Sequence, residues 1–185
     1  MSGECRIDHY LGAPEVGALI ECAGLRRDRG CFAPARIGSA SQLQRREEIR
    51  GDFTCWIEPP LFPAEQSLID KLEILRLELN ANAFLGLFDL ELHFAWYPPG
   101  SGYARQVDRP SGRRERTVSL VLYLTEHWTP EAGGELRFYE PGGTHHDVAP
   151  IAGRLVYFLT SGCEHAVLPT RCDRLSISGW FRTRE

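Results

Sequence analysis

The chain has no apolar run approaching the ~18 residues that a membrane-crossing helix needs, so no membrane partner is expected. It has no excess of basic residues: the formal net charge is −4. That argues against non-specific nucleic-acid binding, which depends on a positive surface. Its first residues, MSGECRIDHYLG, show no basic stretch followed by an apolar one. A secretory signal is therefore not expected, and a cytoplasmic location is. Cysteine is present at Cys5, Cys22, Cys31, Cys55, Cys163 and Cys172, but no C-x-x-C pair occurs, and these spacings do not suit zinc. An even number of cysteines is compatible with disulfides. A chain of 185 residues does not depend on them, and reduced thiols are expected. There is no internal repeat and no low-complexity segment.

What is present points to a globular β-rich chain. Hydrophobic residues make up 43% of it, enough for a core. Eighteen Gly and twelve Pro imply many turns, as in all-β proteins. Residues 1–46 read as an N-terminal extension packing on the rest, with a short helix over Ala13–Ala23. Arg26, Arg27 and Arg29 read as a solvated helix end. Residues 36–50 read as a polar loop. Phe53, Cys55 and Ile57 alternate with Thr54 and Trp56, a strand pattern ended by Pro59 and Pro60. From Pro63 the period lengthens. Leu68, Ile69, Leu72, Leu75 and Leu79 recur at three- and four-residue spacing, which predicts a long helix over Ala64–Asn82. Its single apolar stripe implies packing on something flat, such as a sheet.

Beyond Gly86 the pattern predicts strands near 88–97, 103–107, 117–124, 134–139, 147–149, 153–159, 165–168 and 174–182. Gly- and Pro-rich turn signals separate them, and a sandwich or barrel follows. In the last strand Arg174, Ser176, Ser178 and Trp180 share one face, while Leu175, Ile177 and Phe181 share the other. An inward arginine is costly unless it meets an anion. Pattern alone leaves the inward and outward readings of that face equally open.

A site for iron(II) oxygenase chemistry needs two imidazoles and one carboxylate on one side of the metal, with open positions for co-substrate and oxygen. The first imidazole and the carboxylate usually come as H-x-D on one strand. The segment Tyr103-Ala104-Arg105-Gln106-Val107-Asp108 and the later His165 are the candidates here. Alone, an aspartate beside a loop and a single histidine are ordinary structural residues.

Longer motifs give them meaning. Residues 47–185 resemble the catalytic domain of the prolyl 4-hydroxylase family of 2-oxoglutarate/iron(II) oxygenases. Arg50-Gly51-Asp52 with Trp56 is similar to the family's entry strand. Leu79-Asn80 with Phe84-Leu85-Gly86-Leu87 resembles its helix-to-barrel junction. Tyr97-Pro98-Pro99-Gly100-Ser101-Gly102-Tyr103 resembles the segment before its metal motif. Arg116 to Leu124, Trp128, Gly133-Gly134-Glu135-Leu136, Gly153-Arg154-Leu155-Val156, His165 with Val167, and Arg174 to Phe181 are similar to its later strands, in order.

The resemblance implies a double-stranded β-helix, a jelly-roll, cupin-like barrel. One long helix and short N-terminal helices would back it. It implies Asp108 and His165 as iron ligands, and Arg174 as the partner of the distal carboxylate of 2-oxoglutarate. Tyr123, with Tyr97, would hydrogen-bond the same co-substrate, and Ser178 would line its pocket. Tyr103, Trp180 and Arg105 fall to the substrate pocket. The implied cofactors are Fe(II), 2-oxoglutarate and ascorbate as reductant. The implied reaction is hydroxylation of an unactivated C–H bond in a peptidyl or small-molecule substrate, a prolyl residue being the family-level expectation.

Gln106 departs from this pattern, because the family's first iron-binding histidine belongs there. Its amide oxygen is a harder and weaker ligand than imidazole for Fe(II). The alternative to a working enzyme is an impaired oxygenase-fold binding module. Other histidines offer no clear replacement. His93 lies about 13 Å along a strand from Tyr97, His145 and His146 fall on a turn after Gly142-Gly143, and His127 falls near a rim. Arg113, Arg114 and Arg116 flank Glu115 in what reads as a solvated loop.

Overall fold

The computed structural model describes residues 3–35, 50–108 and 116–184. The expected loop over 36–50 and the Arg113–Glu115 cluster lie outside them, apart from Arg50. Among the described residues two α-helices and eleven strands follow one another as β1 (Glu4–Ile7), α1 (Ala13–Asp28), β2 (Ala33–Pro34), β3 (Phe53–Trp56), α2 (Pro63–Ala83), β4 (Leu87–Tyr97), β5 (Tyr103–Val107), β6 (Arg116–Tyr123), β7 (Leu136–Tyr139), β8 (His145–Val148), β9 (Leu155–Leu159), β10 (Glu164–Val167) and β11 (Arg174–Thr183). The strands form a seven-stranded sheet in the order β1-β9-β6-β11-β4-β3-β2 and a four-stranded sheet in the order β5-β10-β7-β8. All pairings are antiparallel. This is the jelly-roll architecture, mainly β, with helices on the outer face of the larger sheet.

The predicted long helix is α2. Leu68, Leu72 and Leu75 are buried at the i, i+4, i+7 spacing of one helical face. They join the core that covers the outer face of the large sheet, with Phe94, Leu122, Ile177 and Phe181. Its exit is stitched to β4 by Asn80, whose side-chain amide donates to the Leu87 carbonyl (2.8 Å) and accepts from the Leu87 N–H (2.7 Å). Proline at its first position suits the absence of an N–H there.

Among the described residues the N-terminal helical content is one helix of 16 residues, rather than short pieces, and it runs past Ala23 to Asp28. Gly24 costs such a helix about 1 kcal/mol, but Val16, Leu19, Cys22 and Ala23 are buried in the shared core. Tertiary packing outweighs propensity. Arg26 is buried rather than solvated. Its guanidinium donates to both carboxylate oxygens of Glu65, at 2.6 and 2.7 Å. The same carboxylate accepts the Phe62 N–H at 2.9 Å at the start of α2. Arg27 and Arg29 lie over the rings of Trp96 and Phe62. β1 adds an edge strand to the large sheet against β9.

His145 and His146 lie on β8, not on the turn. They pair with Tyr139 and Phe138. The turn is confined to the glycines before them, which have positive φ. His146 sits 2.8 Å from Glu4 and 3.3 Å from Glu140.

Candidate active site

The register of β11 builds one wall of the cavity between the sheets. Arg174, Ser176 and Ser178 stand opposite Tyr97, Ala95 and His93 on β4. On the other flank Ser176, Ser178 and Trp180 stand opposite Tyr123, Val121 and Ser119 on β6. Because side chains alternate, all of these face the smaller sheet. Ile177 and Phe181, fully buried, face the helices. The polar face of the last strand therefore points inward.

The opposite wall comes from β5 and β10. His165 pairs with Gln106, but Val167 pairs with Tyr103. Two steps along β10 match three along β5. The extra residue is a β-bulge, and it reverses the parity of the strand. Tyr103, Gln106 and Asp108 consequently all line one small cavity with His165, Trp180, Ser178 and His93. Arg105 falls outside it. Its guanidinium pairs with Glu164 and lies 4.1 Å from the centre of the Tyr139 ring. Ordinary alternation from Gln106 and Asp108 turns Arg105 to the exposed side, and the bulge is what lets Tyr103 face inward beside them.

At the centre three donors converge. His165 Nε2 lies 3.9 Å from Asp108 Oδ1 and 3.4 Å from the side-chain nitrogen position of Gln106. His165 Nδ1 is 3.1 Å from the Cys163 carbonyl. That carbonyl can only accept, so Nδ1 carries the proton and the Nε2 lone pair faces the centre. The Asp108 carboxylate is held from behind. Its Oδ2 accepts from Ser119 Oγ at 2.6 Å and from Trp180 Nε1 at 3.1 Å. Oδ1 is left facing His165. One imidazole lone pair, one carboxylate oxygen and one amide therefore meet on one side of a common point. These groups fit a divalent cation once the Gln106 amide presents its oxygen, and the two ends of an amide exchange by a simple flip. Among the described residues no cluster of three or more His, Cys, Asp and Glu side chains suits a metal, because the third donor is an amide.

Beyond this centre lies Arg174, 2% exposed. Nε donates to the Gly134 carbonyl at 2.8 Å and Nη1 to Ser176 Oγ at 3.2 Å. The guanidinium is flanked by the rings of Tyr97 (4.9 Å) and Tyr123 (5.2 Å). Among the described residues no carboxylate pairs with it. The buried Tyr123 hydroxyl beside it has no hydrogen-bond partner. Burial pushes the phenols of Tyr97 and Tyr123 up, so both remain O–H donors at neutral pH. A buried cation without a counter-ion among the described residues, next to an unused O–H donor, suits a carboxylate. Gly134 makes room for the Arg174 side chain. Its φ is +77°, and a Cβ there would meet Arg174 Cδ at 2.9 Å.

Three polar residues of this cavity, Ser119, Arg50 and His93, are not among the site residues that the sequence singled out. Ser119 is one hydroxyl within the apolar run of β6 and carries no motif of its own. Arg50 lies on the entry-strand motif. It grips Asp52 with two bonds (2.7 and 3.0 Å) and covers the Tyr103 ring at 4.7 Å. His93 lines the cavity too, although counting along one strand places it too far away. It reaches the site laterally, across the sheet, through Ser178 and Trp180. Burial, with the charges of Arg50 and Arg116, lowers its pKa to about 3, so the ring is neutral.

Comparison with known proteins agrees with this geometry. Residues 92–182 match the family model of the 2OG-Fe(II) oxygenase superfamily. A Pseudomonas putida prolyl-4-hydroxylase is similar over 100% of this chain and 94% of its own, at 43% identity and a TM-score of 0.88. A prolyl hydroxylase from Trichoplax adhaerens, solved with a hypoxia-inducible-factor peptide fragment, is 25% identical. That match has a TM-score of 0.87 and covers 98% of this chain and 84% of the other. A viral collagen prolyl hydroxylase from Paramecium bursaria Chlorella virus-1 shares the fold at 20% identity and a TM-score of 0.69, over 98% of this chain and 96% of its own. With its jelly-roll, its facing carboxylate and imidazole and its buried arginine, the chain belongs to the 2-oxoglutarate- and iron(II)-dependent oxygenases, and within them to the prolyl 4-hydroxylase-like enzymes.

Proposed function

We propose that this dioxygenase holds Fe(II) through Asp108, His165 and the amide oxygen of Gln106. It would bind 2-oxoglutarate through Arg174 and Tyr123 and hydroxylate a prolyl residue or a related peptidyl or small-molecule substrate. The carrying observation is Arg174, a buried guanidinium with no carboxylate partner among the described residues, beside the unpartnered hydroxyl of Tyr123. A dicarboxylate reaching from the metal would place its far end there. Two guanidinium nitrogens are committed to Gly134 and Ser176, which fix the plane of the fork. Tyr97 lies beside the guanidinium, and Ser178 lines the same cavity as Asp108, Gln106 and His165.

When bound, iron(II) with 2-oxoglutarate and oxygen supplies the oxidising power, releasing succinate and carbon dioxide. This chain's own groups hold the reactants and exclude water. Ser119 and Trp180 keep Oδ1 of Asp108 on the metal side. The Cys163 carbonyl keeps the His165 lone pair there. Tyr103, braced under Arg50, and Trp180 form the walls against which a substrate would lie. Ascorbate is the expected reductant for iron oxidised in unproductive cycles, and the cytoplasm is the expected location.

A second reading rests on Gln106. Its amide nitrogen can donate to His165 Nε2, 3.4 Å away, closing the face that a metal needs. The chain would then be an impaired oxygenase acting as a binding module. Succinate release from 2-oxoglutarate with iron(II) and ascorbate separates the two, measured on this chain and on Gln106→His. Turnover by the chain as it stands supports the amide-ligated enzyme. Turnover by Gln106→His alone marks Gln106 as the inactivating position. Absence of turnover in both, with candidate substrates present, would overturn the oxygenase reading of the site.

A further inference from the structure

The cavity around Asp108 offers one imidazole to a metal and no thiol. Of the chain's six histidines only His165 and His93 line it, and none of the six cysteines does. All of these side chains lie among the described residues, so no other part of the chain can bring in a second nitrogen or a sulfur. His93 offers no ligand. Both its ring nitrogens are buried, and the Trp180 indole covers its face (centroids 5.5 Å, 26°) while donating its own Nε1–H to Asp108. Gln106 stands where a second imidazole would. On β5 it is the residue paired with His165, and its amide end reaches to 3.4 Å from His165 Nε2. Among the described residues that side-chain amide makes no other hydrogen bond, so it is free to turn its oxygen inward. Asp108 cannot supply a second oxygen in its stead, because Oδ2 is held by Ser119 and Trp180.

We propose that Gln106 sets the metal selectivity of this site, favouring manganese(II) and iron(II) over zinc, nickel and copper relative to the same site with histidine there. This rests on the oxygenase reading above and deepens it. The three protein donors become two oxygens and one nitrogen, and 2-oxoglutarate adds only oxygen. Carboxylate and carbonyl oxygens suit manganese(II), whereas zinc, copper and nickel are well served by imidazole. Exchanging imidazole for an amide therefore weakens zinc, nickel and copper most. Iron(II), next to manganese in the affinity series, loses less. A site with two imidazoles follows that series and binds the later metals more tightly than iron. The amide gives up total affinity and gains discrimination.

The test uses the metal-free full chain, Gln106→His and Gln106→Leu, with manganese(II) and zinc(II) as probes, 2-oxoglutarate present and no substrate. Free manganese is read by electron paramagnetic resonance, and zinc by its competition with manganese, so no turnover is needed. The zinc-to-manganese affinity ratio should be at least about tenfold lower in this chain than in Gln106→His. Gln106→Leu fills the position without a donor. It should lose at least about tenfold in manganese affinity, since a lost ligand costs no less than a lost supporting partner. Electron spin echo modulation of bound manganese should show one imidazole nitrogen in this chain and two in Gln106→His.

An equal ratio in this chain and Gln106→His would overturn the proposal while leaving the metal site standing. So would manganese affinity unchanged in Gln106→Leu, or two imidazole nitrogens on manganese in this chain. Should Gln106→His not fold, those last two measurements decide. Manganese bound by Gln106→His but not by this chain would also reject it, in favour of the binding module. If neither chain binds manganese, at unchanged Tm, the oxygenase reading of the site itself fails and the selectivity falls with it.

Discussion

Removing the Ser119 hydroxyl tests whether the Asp108 carboxylate is oriented for a metal. Ser119 is 2% exposed and its Oγ lies 2.6 Å from Asp108 Oδ2, the shorter of the two bonds that hold this oxygen. Ser119→Ala removes one small atom and leaves the packing of β6 intact. The carboxylate would keep only the 3.1 Å bond from Trp180 and could swing about its side-chain torsions. Partners of this kind behind a ligand are worth about 10–100-fold in metal affinity, or roughly 1.4–2.7 kcal/mol. The loss here should fall near the middle of that range, since one of two bonds survives. Trp180→Phe should cost less, its bond being longer. The double variant should lose more than the sum of the two, because each bond can restrain the carboxylate when the other is gone. Titration with manganese(II) followed by electron paramagnetic resonance reads free metal directly and needs no turnover. Manganese affinity unchanged in the double variant, at unchanged Tm, would refute the assignment of Asp108 Oδ1 as a ligand.

Gly134→Ala places a methyl 2.9 Å from Arg174 Cδ and 3.2 Å from Thr170 Cβ, at a φ of +77°. It should weaken 2-oxoglutarate binding at least tenfold by displacing the guanidinium, as read by calorimetry with zinc in the site. Arg26→Ala strands the buried Glu65 carboxylate without its partner. The expected cost is about 3–5 kcal/mol, a fall in Tm of roughly 6–20 °C for a chain of this size, seen by scanning calorimetry. Cys163 should resist alkylation near pH 8. Burial, with Glu4 and Asp108 adding, raises its pKa to about 11, so only about a thousandth is thiolate there. Reactivity should appear as pH climbs toward that value. Mass spectrometry after brief iodoacetamide treatment should find the exposed Cys5, Cys31 and Cys172 labelled before Cys163 and the buried Cys22 and Cys55.

The sequence by itself determined the periodic elements. The three- and four-residue spacing of Leu68, Leu72 and Leu75 is local and survives any tertiary context, so α2 was legible to within a residue at each end. The strands of the second half were legible for the same reason, being short alternating runs between Gly and Pro turns. The split of β11 into a polar and an apolar face was visible too, but not which face looked inward. Resemblance implied the polar face, and pairing with β4 and β6 supplied the physical reason, by placing Tyr97, Tyr123 and Ser119 beside Arg174 and Trp180. Arg105 fell to the pocket by resemblance alone and lies outside the cavity, and Tyr103 faces in beside Gln106 only through a bulge. A bulge is a mismatch between two strands, and one strand's residues do not record it. His93 was discounted because distance was counted along β4, whereas it meets the site sideways through Ser178 and Trp180. Arg26 looked like a surface charge until Glu65, 39 positions away, supplied its partner. Local spacing carries periodicity and turn chemistry. Which donors share a cavity, which charges are paired and which polar atoms are left unsatisfied depend on contacts between distant residues, and those exist only once the two sheets have closed on each other.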